Sequence, residues 1–189
     1  MSWIARVAPE EAPPELKAVY DRIRARASSQ RVSHVWQVWG SDPAGVETAF
    51  ASFRALMDDP APLSRAQAEM IALVVSATNG CGYCVSHHGA RLARLAGDEV
   101  ARAVALDYRE ANLAARDRVL LDAAVALTCE PGERTRADVE RLREYGFGDA
   151  AILKATEIAA YYNYVNRVVQ GLGVELEPGL EAWTFGAQT

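Results

Sequence analysis

The 189-residue sequence has little of several features that define common classes of protein. With 20 Lys and Arg against 25 Asp and Glu, it lacks the broad positive field that attracts nucleic acid or anionic lipid. No apolar run reaches the roughly 18 residues that a membrane span requires, and no signal-peptide pattern opens the chain. Three cysteines are too few for a secreted disulfide scaffold. We therefore expect a cytoplasmic protein that binds neither nucleic acid nor membranes.

Alternating apolar and polar runs, which are typical of strands, are almost absent, as are internal repeats and linkers rich in proline and glycine. The chain instead shows apolar residues at helical spacing between short turn signals. Half of the residues are hydrophobic, so a chain of this length can bury a sizeable core without disulfides. We predict a single domain over residues 1–189, an all-α helical bundle of about seven to nine helices.

Prolines, glycines and capping residues predict where the helices begin and end. A capping box of Ser64 and Gln67 precedes a helix that stops at Asn79-Gly80, and Gly97 ends the next one. The predicted helices cover about Glu15–Ala27, Pro43–Met57, Ser64–Asn79, Cys81 or Tyr83–Ala96, a short segment capped by Asp98, Ala111–Thr128, Thr135–Tyr145 and Asp149–Leu172. The apolar tail of residues 177–189 is expected to dock on its own core or on a neighbouring subunit.

One carboxylate stands alone in a strongly apolar part of the chain. Glu69 is the only formally charged side chain between Ala66 and Ala90, and apolar residues surround its helix on every side. A buried carboxylate without a partner costs several kcal/mol or takes up a proton, so Glu69 requires a partner. Arg65 together with the helix dipole is one candidate, and a side chain of the following helix is the other.

Two thiols and two histidines follow in the segment Cys81-Gly82-Tyr83-Cys84-Val85-Ser86-His87-His88. Cysteines three residues apart lie on one face of a helix, and the helix N-terminus favours a thiolate. His88 falls angularly between the two cysteines, whereas His87 falls on the far side of Cys84. A carboxylate bonded to one nitrogen of His88 would raise the basicity of the other nitrogen. The pattern indicates a redox site containing Glu69, Cys81, Cys84 and His88.

These four residues, at successive offsets of twelve, three and four, resemble the signature of the alkylhydroperoxidase D-like (AhpD-like) branch of the carboxymuconolactone decarboxylase-like superfamily. The likeness to an uncharacterised peroxidase-related group extends over most of the chain, through the segments Leu63-Ser64-Arg65, Val85–Gly89, Asn166-Arg167 and Leu172–Glu177. The resemblance implies a helical protomer, trimeric or hexameric, that reduces hydroperoxides with no bound cofactor or metal. The non-redox decarboxylases of the superfamily lack the cysteine pair, which disfavours their reaction for this chain.

On the matching positions, the resemblance implies that Cys84 is the peroxidatic thiolate, Cys81 the resolving thiol, and Glu69 with His88 a proton relay. Well-studied members carry a further relay histidine where this chain has Tyr83. Tyr83 and His87 are therefore expected only as auxiliary residues. A tyrosine can donate a hydrogen bond to peroxide or sulfenate but is a poor base at neutral pH. The disulfide would be reopened by an external dithiol, a lipoyl-bearing or thioredoxin-like protein.

Three other interpretations of the cysteine pair stay open. A thioredoxin-like fold would place the pair after a strand over Ile71–Thr78, but it needs further strands that the sequence does not offer. A zinc site would need one short helical segment to surround the ion with four ligands. A redox-sensing or assembly module would form the disulfide without sustained turnover.

The remaining polar and aromatic residues are assigned structural roles. Cys129 is predicted to be a small buried side chain. His34, Trp36 and Trp39 are expected to pack in the core or at an interface, and Arg91, Arg94 and Arg102 to form a solvated face. Tyr161, Tyr162, Asn163, Tyr164 and Asn166 are expected in structural or subunit contacts, with lining of a pocket as the alternative.

Overall fold

A computed structural model describes residues 2–26 and 30–188 of the chain. Within these ranges it contains nine α-helices, two short 3₁₀ turns and no strand, which confirms the predicted fold class and helix number. The helices are α1 (Pro14–Arg26), α2 (His34–Val38), α3 (Pro43–Met57), α4 (Arg65–Thr78), α5 (Gly82–Ala96), α6 (Asp98–Asp107), α7 (Ala115–Cys129), α8 (Arg136–Glu144) and α9 (Asp149–Gly171). The predicted end of α1 at Ala27 and the last tail residue, Thr189, lie outside the described residues. Among residues 2–26 and 30–188, none of the helices combines the length and the hydropathy of a membrane span.

Capping residues fix the start of α4 as predicted. The Gln67 N–H donates to the Ser64 hydroxyl oxygen at 3.1 Å, and the Ser64 N–H donates to the Gln67 side chain at 2.9 Å. These two hydrogen bonds form the capping box and satisfy donors that the helix itself leaves unpaired. At the other end, Gly80 has φ +68°, a conformation that glycine adopts without strain, and it turns the chain back into α5.

Two predicted helix starts are wrong by one and four residues. Gly97, not Asp98, occupies the N-cap of α6, so Asp98 is the first residue of that helix. The seventh helix begins at Ala115 rather than Ala111, because a bend and extended backbone, with Ala114 at ψ 147°, precede it. The apolar residues of this turn continue the helical spacing without being helical.

Helix α4 is the centre of the bundle and packs against α5, α6, α7 and α9. Its residues from Ala68 to Ala77 are all buried, and this set includes the charged Glu69. The stretch Ile71–Thr78 is helical, so the strand of a thioredoxin-like fold is absent at this position. Because neighbours surround α4, its one carboxylate must find a partner inside the protein, along the interface with α5.

The C-terminal tail docks on its own chain, across α5 and α6. The backbone N–H of Trp183 donates to the Ser86 hydroxyl at 3.0 Å, and its indole ring is buried. Gln188 is 1% exposed and its side-chain amide donates to the carbonyls of Ala105 and Leu106 at 3.0 and 3.1 Å. Of the two docking modes considered for the tail, the one on its own core is therefore present.

The close approach of the tail to α5 makes Gly89 a sensitive position. A Cβ at Gly89 would lie 2.4 Å from the Trp183 ring, so we expect Gly89→Ala to destabilise the protein despite the better helix propensity of alanine. Overpacking of this kind lowers the free energy of unfolding by about 1–3 kcal/mol. Chemical denaturation measures this change, and limited proteolysis reports release of the tail.

Gly171→Ala is the matched control for this substitution. A Cβ at Gly171 meets nothing within 4 Å, so its stability should equal or slightly exceed that of the wild type. If Gly89→Ala is as stable as this control and its tail resists protease, Trp183 does not pack on Gly89 as described.

Candidate active site

The two cysteines lie at the start of α5, where the chain turns out of α4. The Cys81 N–H donates to the carbonyl of Ser76 at 2.8 Å, and Cys81 is the N-cap residue of α5. Cys84 lies in the first turn of that helix. Both are free thiols, with exposed fractions of 1% and 3%. The pair is therefore a buried dithiol.

An amide network from α9 supports the turn that carries Cys81. The Asn166 side chain is fully buried, and its amide donates to the Ser76 hydroxyl at 3.1 Å. Its carbonyl oxygen accepts from the Asn79 amide at 3.0 Å, and Asn79 also donates to Asn163 at 3.1 Å. These bonds connect the C-terminal end of α4 to α9 and place Asn166 beside both sulfurs.

Glu69 of α4 and His88 of α5 form a buried pair. The Nδ1 atom of His88 lies 2.6 Å from Oε2 of Glu69, and the two residues are 4% and 7% exposed. The alternative partner, Arg65, instead donates to the carbonyl of Asp58 at 3.0 Å. The ring of Tyr162 meets the His88 ring edge-on, with centroids 4.5 Å apart. The structure thus brings together the carboxylate and the imidazole that the sequence spacing pairs.

Electrostatics determine which protonation state this pair adopts. Burial acts to raise the pKa of Glu69, but the neighbouring His88, its hydrogen bond, and the guanidinium groups of Arg91 and Arg26 outweigh it, so the pKa is lowered. Burial also lowers the pKa of His88, against the opposing effect of Glu69. We therefore assign an ionised Glu69 that accepts the Nδ1–H of a neutral His88. This leaves the Nε2 lone pair of His88 free to accept a proton, and Nε2 has no hydrogen-bond partner among the described residues.

The two sulfurs differ in their tendency to ionise. The hydrogen bond from the Cys84 side chain lowers the pKa of Cys81; burial opposes it, while the backbone N–H groups of Cys84 and Tyr83 and the side chain of Asn166 reinforce it. The same hydrogen bond, followed by burial and the charge on Cys81, raises the pKa of Cys84 well above the ordinary value. Of the two thiols, Cys81 is therefore the one whose pKa is lowered.

A second carboxylate lies on the other side of the cysteines, and sequence analysis missed it. Glu177 of the tail accepts the Tyr83 hydroxyl at 2.8 Å, lies 2.9 Å from Nε2 of His87, and accepts the backbone N–H of His34 at 2.6 Å. The Tyr83 hydroxyl also accepts the Val35 N–H at 3.2 Å. Tyr83 is therefore engaged with Glu177 and does not present a free hydroxyl to the sulfurs. His87 belongs to this second cluster, since it pairs with Glu177, whereas Glu69 pairs with His88.

The charge of Glu177 should make this cluster sensitive to acid. Burial acts to raise the pKa of Glu177, but hydrogen bonds and charge from His87, with the His34 N–H and the Tyr83 hydroxyl, lower it from 4.5 to about 2. A folded-state pKa below the unfolded value means that the ionised group stabilises the fold above about pH 4.5 and that this contribution is lost as the pH falls toward 2.

We therefore expect Glu177→Gln to lower the free energy of unfolding at pH 7 by about 1–3 kcal/mol, the usual effect of losing hydrogen bonds to a charged group. The difference in free energy of unfolding between this variant and wild type should become smaller between pH 4.5 and 2, because Glu177 itself becomes protonated there. Urea denaturation at several pH values measures both effects. Glu181→Gln is the control, because Glu181 is a mostly exposed tail carboxylate whose ion pair with Arg102 contributes little. If the free energies of unfolding of Glu177→Gln and wild type differ by the same amount at every pH, Glu177 is not the ionised group described here.

A pocket of about 680 Å³, part of it open to solvent, reaches Cys84. Its lining includes Cys84, His87, His88 and Tyr83 but not Cys81. The rest of the wall is largely aromatic, with Trp36, Trp39, Phe50, Phe53, Tyr161 and Tyr162. The hydroxyl of Tyr162 is buried and has no hydrogen-bond partner in residues 2–26 and 30–188. A reactant in the pocket would therefore meet one sulfur, two imidazoles and the ring of Tyr162.

Several residues lie elsewhere than the sequence predicts. Cys129 is exposed rather than buried, because it is the last residue of α7. Arg91 does not belong to a solvated face but lines the pocket, whereas Arg94 is exposed as expected. Trp36 packs edge-on against Phe50 and Phe53, so this predicted core residue also forms pocket wall. No group of three or more His, Cys, Asp or Glu side chains in the described chain is arranged to hold a metal ion.

Residues 44–107 match the carboxymuconolactone decarboxylase family. The structure is similar to an uncharacterized peroxidase-related protein with an alkylhydroperoxidase AhpD core from Ralstonia eutropha JMP134, with TM-score 0.85 and 29% identity, covering 94% of this chain and 93% of that chain. It is also similar to an uncharacterized peroxidase-related protein from Silicibacter sp. TM1040, with TM-score 0.84 and 29% identity, covering 91% and 90%.

The fold is shared more widely. The debrominase Bmp8, solved as a cysteine-to-alanine variant in complex with 2,3,4-tribromopyrrole, has TM-score 0.78 and 18% identity, covering 94% of this chain and 95% of that chain. No protein of curated function matches the sequence significantly. The family match over residues 44–107 and the likeness to the two peroxidase-related structures support an AhpD-like member of the carboxymuconolactone decarboxylase-like superfamily.

Proposed function

We propose that the protein is a thiol-dependent hydroperoxide reductase that uses Cys84 and Cys81 as its redox pair. The peroxidase-related relatives support a general peroxidase-like role. The position of Cys84 supports the finer proposal, because Cys84 is hydrogen-bonded to a second thiol and lines a pocket together with the carboxylate-paired imidazole of His88. A base, a nucleophile and a resolving sulfur are thus within one buried cluster.

The proposed first half-reaction is attack of the Cys84 sulfur on the distal oxygen of a hydroperoxide. A proton from the thiol pair passes to Nε2 of His88, and the remaining charge resides mainly on Cys81. As Cys84 attacks, its own proton moves to Cys81, the S–O bond forms and the O–O bond breaks. Cys84 becomes a sulfenic acid, and the leaving alkoxide receives its proton back from His88 to give an alcohol.

The second half-reaction closes the disulfide. The Cys81 sulfur attacks the sulfenic sulfur of Cys84, so that the S–S bond forms while hydroxide leaves and takes the Cys81 proton as water. In total, two thiols and one hydroperoxide give one disulfide, one alcohol and one water. An external dithiol protein, of lipoyl-bearing or thioredoxin-like type, then returns two electrons by thiol–disulfide exchange. The proposed enzyme acts as a homo-oligomer, a trimer or hexamer, with no bound cofactor or metal.

Tyr162 has a proposed role in holding the peroxide. Its buried hydroxyl has no partner among the described residues and borders the His88 ring. Burial raises its pKa well above 10, so it remains a donor at every physiological pH. A hydroperoxide oxygen near His88 would satisfy this otherwise unpaired group.

The experiment that tests this proposal mixes the fully reduced protein with one equivalent of cumene hydroperoxide. We expect one equivalent of alcohol and one Cys81–Cys84 disulfide per chain, identified by peptide mass spectrometry, and renewed alcohol formation when a lipoylated protein or thioredoxin is added with its reductase. Disulfide formation without renewed turnover by either donor would favour a redox-sensing module. Absence of the disulfide would contradict the proposal.

A further inference from the structure

The pocket that reaches Cys84 carries positive charge although the whole chain is acidic, with a formal net charge of −5. Three arginines, Arg26, Arg31 and Arg91, belong to its wall, and no Asp or Glu does. Glu69 and Glu177 do not line the pocket; they are hydrogen-bonded to His88 and to His87, respectively. An uncharged hydroperoxide would need none of these cations, so the arrangement indicates an additional negative group on the ligand.

Arg91 is the cation most available to such a group. Arg26 already forms an ion pair with Asp58, and both Arg26 and Arg91 lie over the Phe53 ring, at 5.0 and 5.4 Å from its centre. Arg91 is half-buried, and within the described part of the chain it forms no ion pair and no hydrogen bond. A guanidinium that is partly removed from water and not paired is well suited to bind a carboxylate with two parallel hydrogen bonds.

The position of Arg91 along α5 sets the length of the ligand. Cys84, His88 and Arg91 follow one another at four and three residues, so they lie along one face of the helix. Seven residues of α-helix separate the Cys84 and Arg91 backbones by roughly 10 Å. The wall around this space includes Trp36, Phe50 and Phe53, which would contact an apolar body. The site therefore offers a reacting end at Cys84 and an anion-binding end at Arg91, with aromatic surface between them.

We propose that this pocket selects hydroperoxides that also carry a carboxylate, with Arg91 binding the carboxylate and the aromatic wall binding the apolar body. This inference rests on the proposed reductase function and adds the substrate class. Arg91 is then a specificity-determining residue. Its nearness to Glu69 means that its loss also changes the field at the relay, so the test must compare two substrates on the same variant.

The test uses cumene hydroperoxide and its 4-carboxylate derivative, which differ only in the charged group. Stopped-flow measurements give the second-order rate constant for oxidation of the dithiol by each compound. We expect wild type to prefer the carboxylate, and Arg91→Met to reduce this preference ratio at least about tenfold, since a charge-assisted hydrogen-bond pair is lost. Arg91→Lys should restore part of the ratio. Arg94→Met, which removes an exposed arginine one turn away, should keep the wild-type ratio.

A binding measurement with unreactive ligands distinguishes failure of the carboxylate proposal from failure of the proposed reductase function. Calorimetric titration of the reduced protein with 4-isopropylbenzoate and 4-isopropylbenzamide compares a carboxylate with a neutral group of similar size. We expect the benzoate to bind more tightly, and Arg91→Met to remove its advantage. If both hydroperoxides oxidise the dithiol with the same ratio in wild type and Arg91→Met, the carboxylate inference is overturned and the reductase stands. If neither reacts, the reductase fails, and the calorimetric comparison alone supports or overturns carboxylate binding.

Discussion

Cys84→Ser is expected to slow reduction of a hydroperoxide at least about a thousandfold, since Cys84 is the one sulfur on the pocket wall among residues 2–26 and 30–188. Serine is not ionised at neutral pH and cannot be oxidised to a sulfenic acid, so neither half-reaction can begin. Alcohol formation from cumene hydroperoxide measures this loss. Cys129→Ser is the matched control; Cys129 is exposed at the end of α7, and this variant should react as the wild type does.

Cys81→Ser distinguishes the roles of the two sulfurs. This variant retains the pocket-lining Cys84 and should consume about one equivalent of peroxide per chain and then stop, because no resolving thiol remains. A sulfenate trap should label Cys84, as determined by peptide mass spectrometry. Its first oxidation should be slower than that of wild type, since the hydrogen bond to Cys81 through which Cys84 loses its proton is removed. Labelling of Cys81 in the reciprocal variant, with none of Cys84 here, would reverse the two roles.

Glu69→Gln is expected to slow oxidation of the dithiol about a hundredfold at pH 7, within the usual range for loss of general acid–base catalysis. Glutamine keeps an oxygen that accepts the Nδ1–H of His88, so the ring stays in place while the charge that supports its basicity is lost. The fold should survive the change, which circular dichroism and a denaturation curve can verify.

The pH profile distinguishes this relay role from a structural one. Activity requires neutral His88, so the wild-type rate should fall as the pH drops below the His88 pKa, which burial places below 6.5. Because Glu69 acts to raise the His88 pKa, its neutralisation should move this acidic limb to still lower pH. Glu99→Gln, an exposed change at the start of α6, is the control and should leave both rate and profile unchanged. If the acidic limb of the pH–rate profile and the rate of Glu69→Gln both equal those of the wild type, Glu69 is not part of the relay.

The helix bounds that the sequence predicts correctly are those marked by capping and turn residues close by in the chain. The capping box of Ser64 and Gln67 and the turn at Gly80 act within a few residues, and these are the interactions that a linear pattern contains. Helix α2 was not predicted because five residues are too few to show a helical period. The start of α7 was placed too early because apolar spacing continues through the turn before it.

The candidate site likewise combines contacts between neighbouring helices with contacts between residues far apart in the sequence. Glu69 and His88 belong to consecutive helices joined by a tight turn, so their spacing alone predicted that they meet. Glu177 reaches His87 across 90 residues of sequence, through a tail whose path depends on the packing of Trp183 and Gln188. Arg91 resembled its exposed neighbours in sequence, and only the packing of Phe53 from α3 shows that it borders a pocket. Long-range packing of this kind leaves no periodic signal in the sequence.

The hydrogen bond between the two thiols lowers the pKa of Cys81 and raises the pKa of Cys84, the sulfur that lines the pocket. An ultraviolet titration of thiolate absorbance, made on reduced Cys129→Ser protein to remove the exposed thiol, resolves the ionisation of the two sulfurs. We expect one thiolate per chain to form below the free-cysteine pKa of about 8.5, a second to form only well above it, and the first step to be lost in a Cys81→Ser background. Two sulfurs that ionise together at or above that value would contradict this expectation.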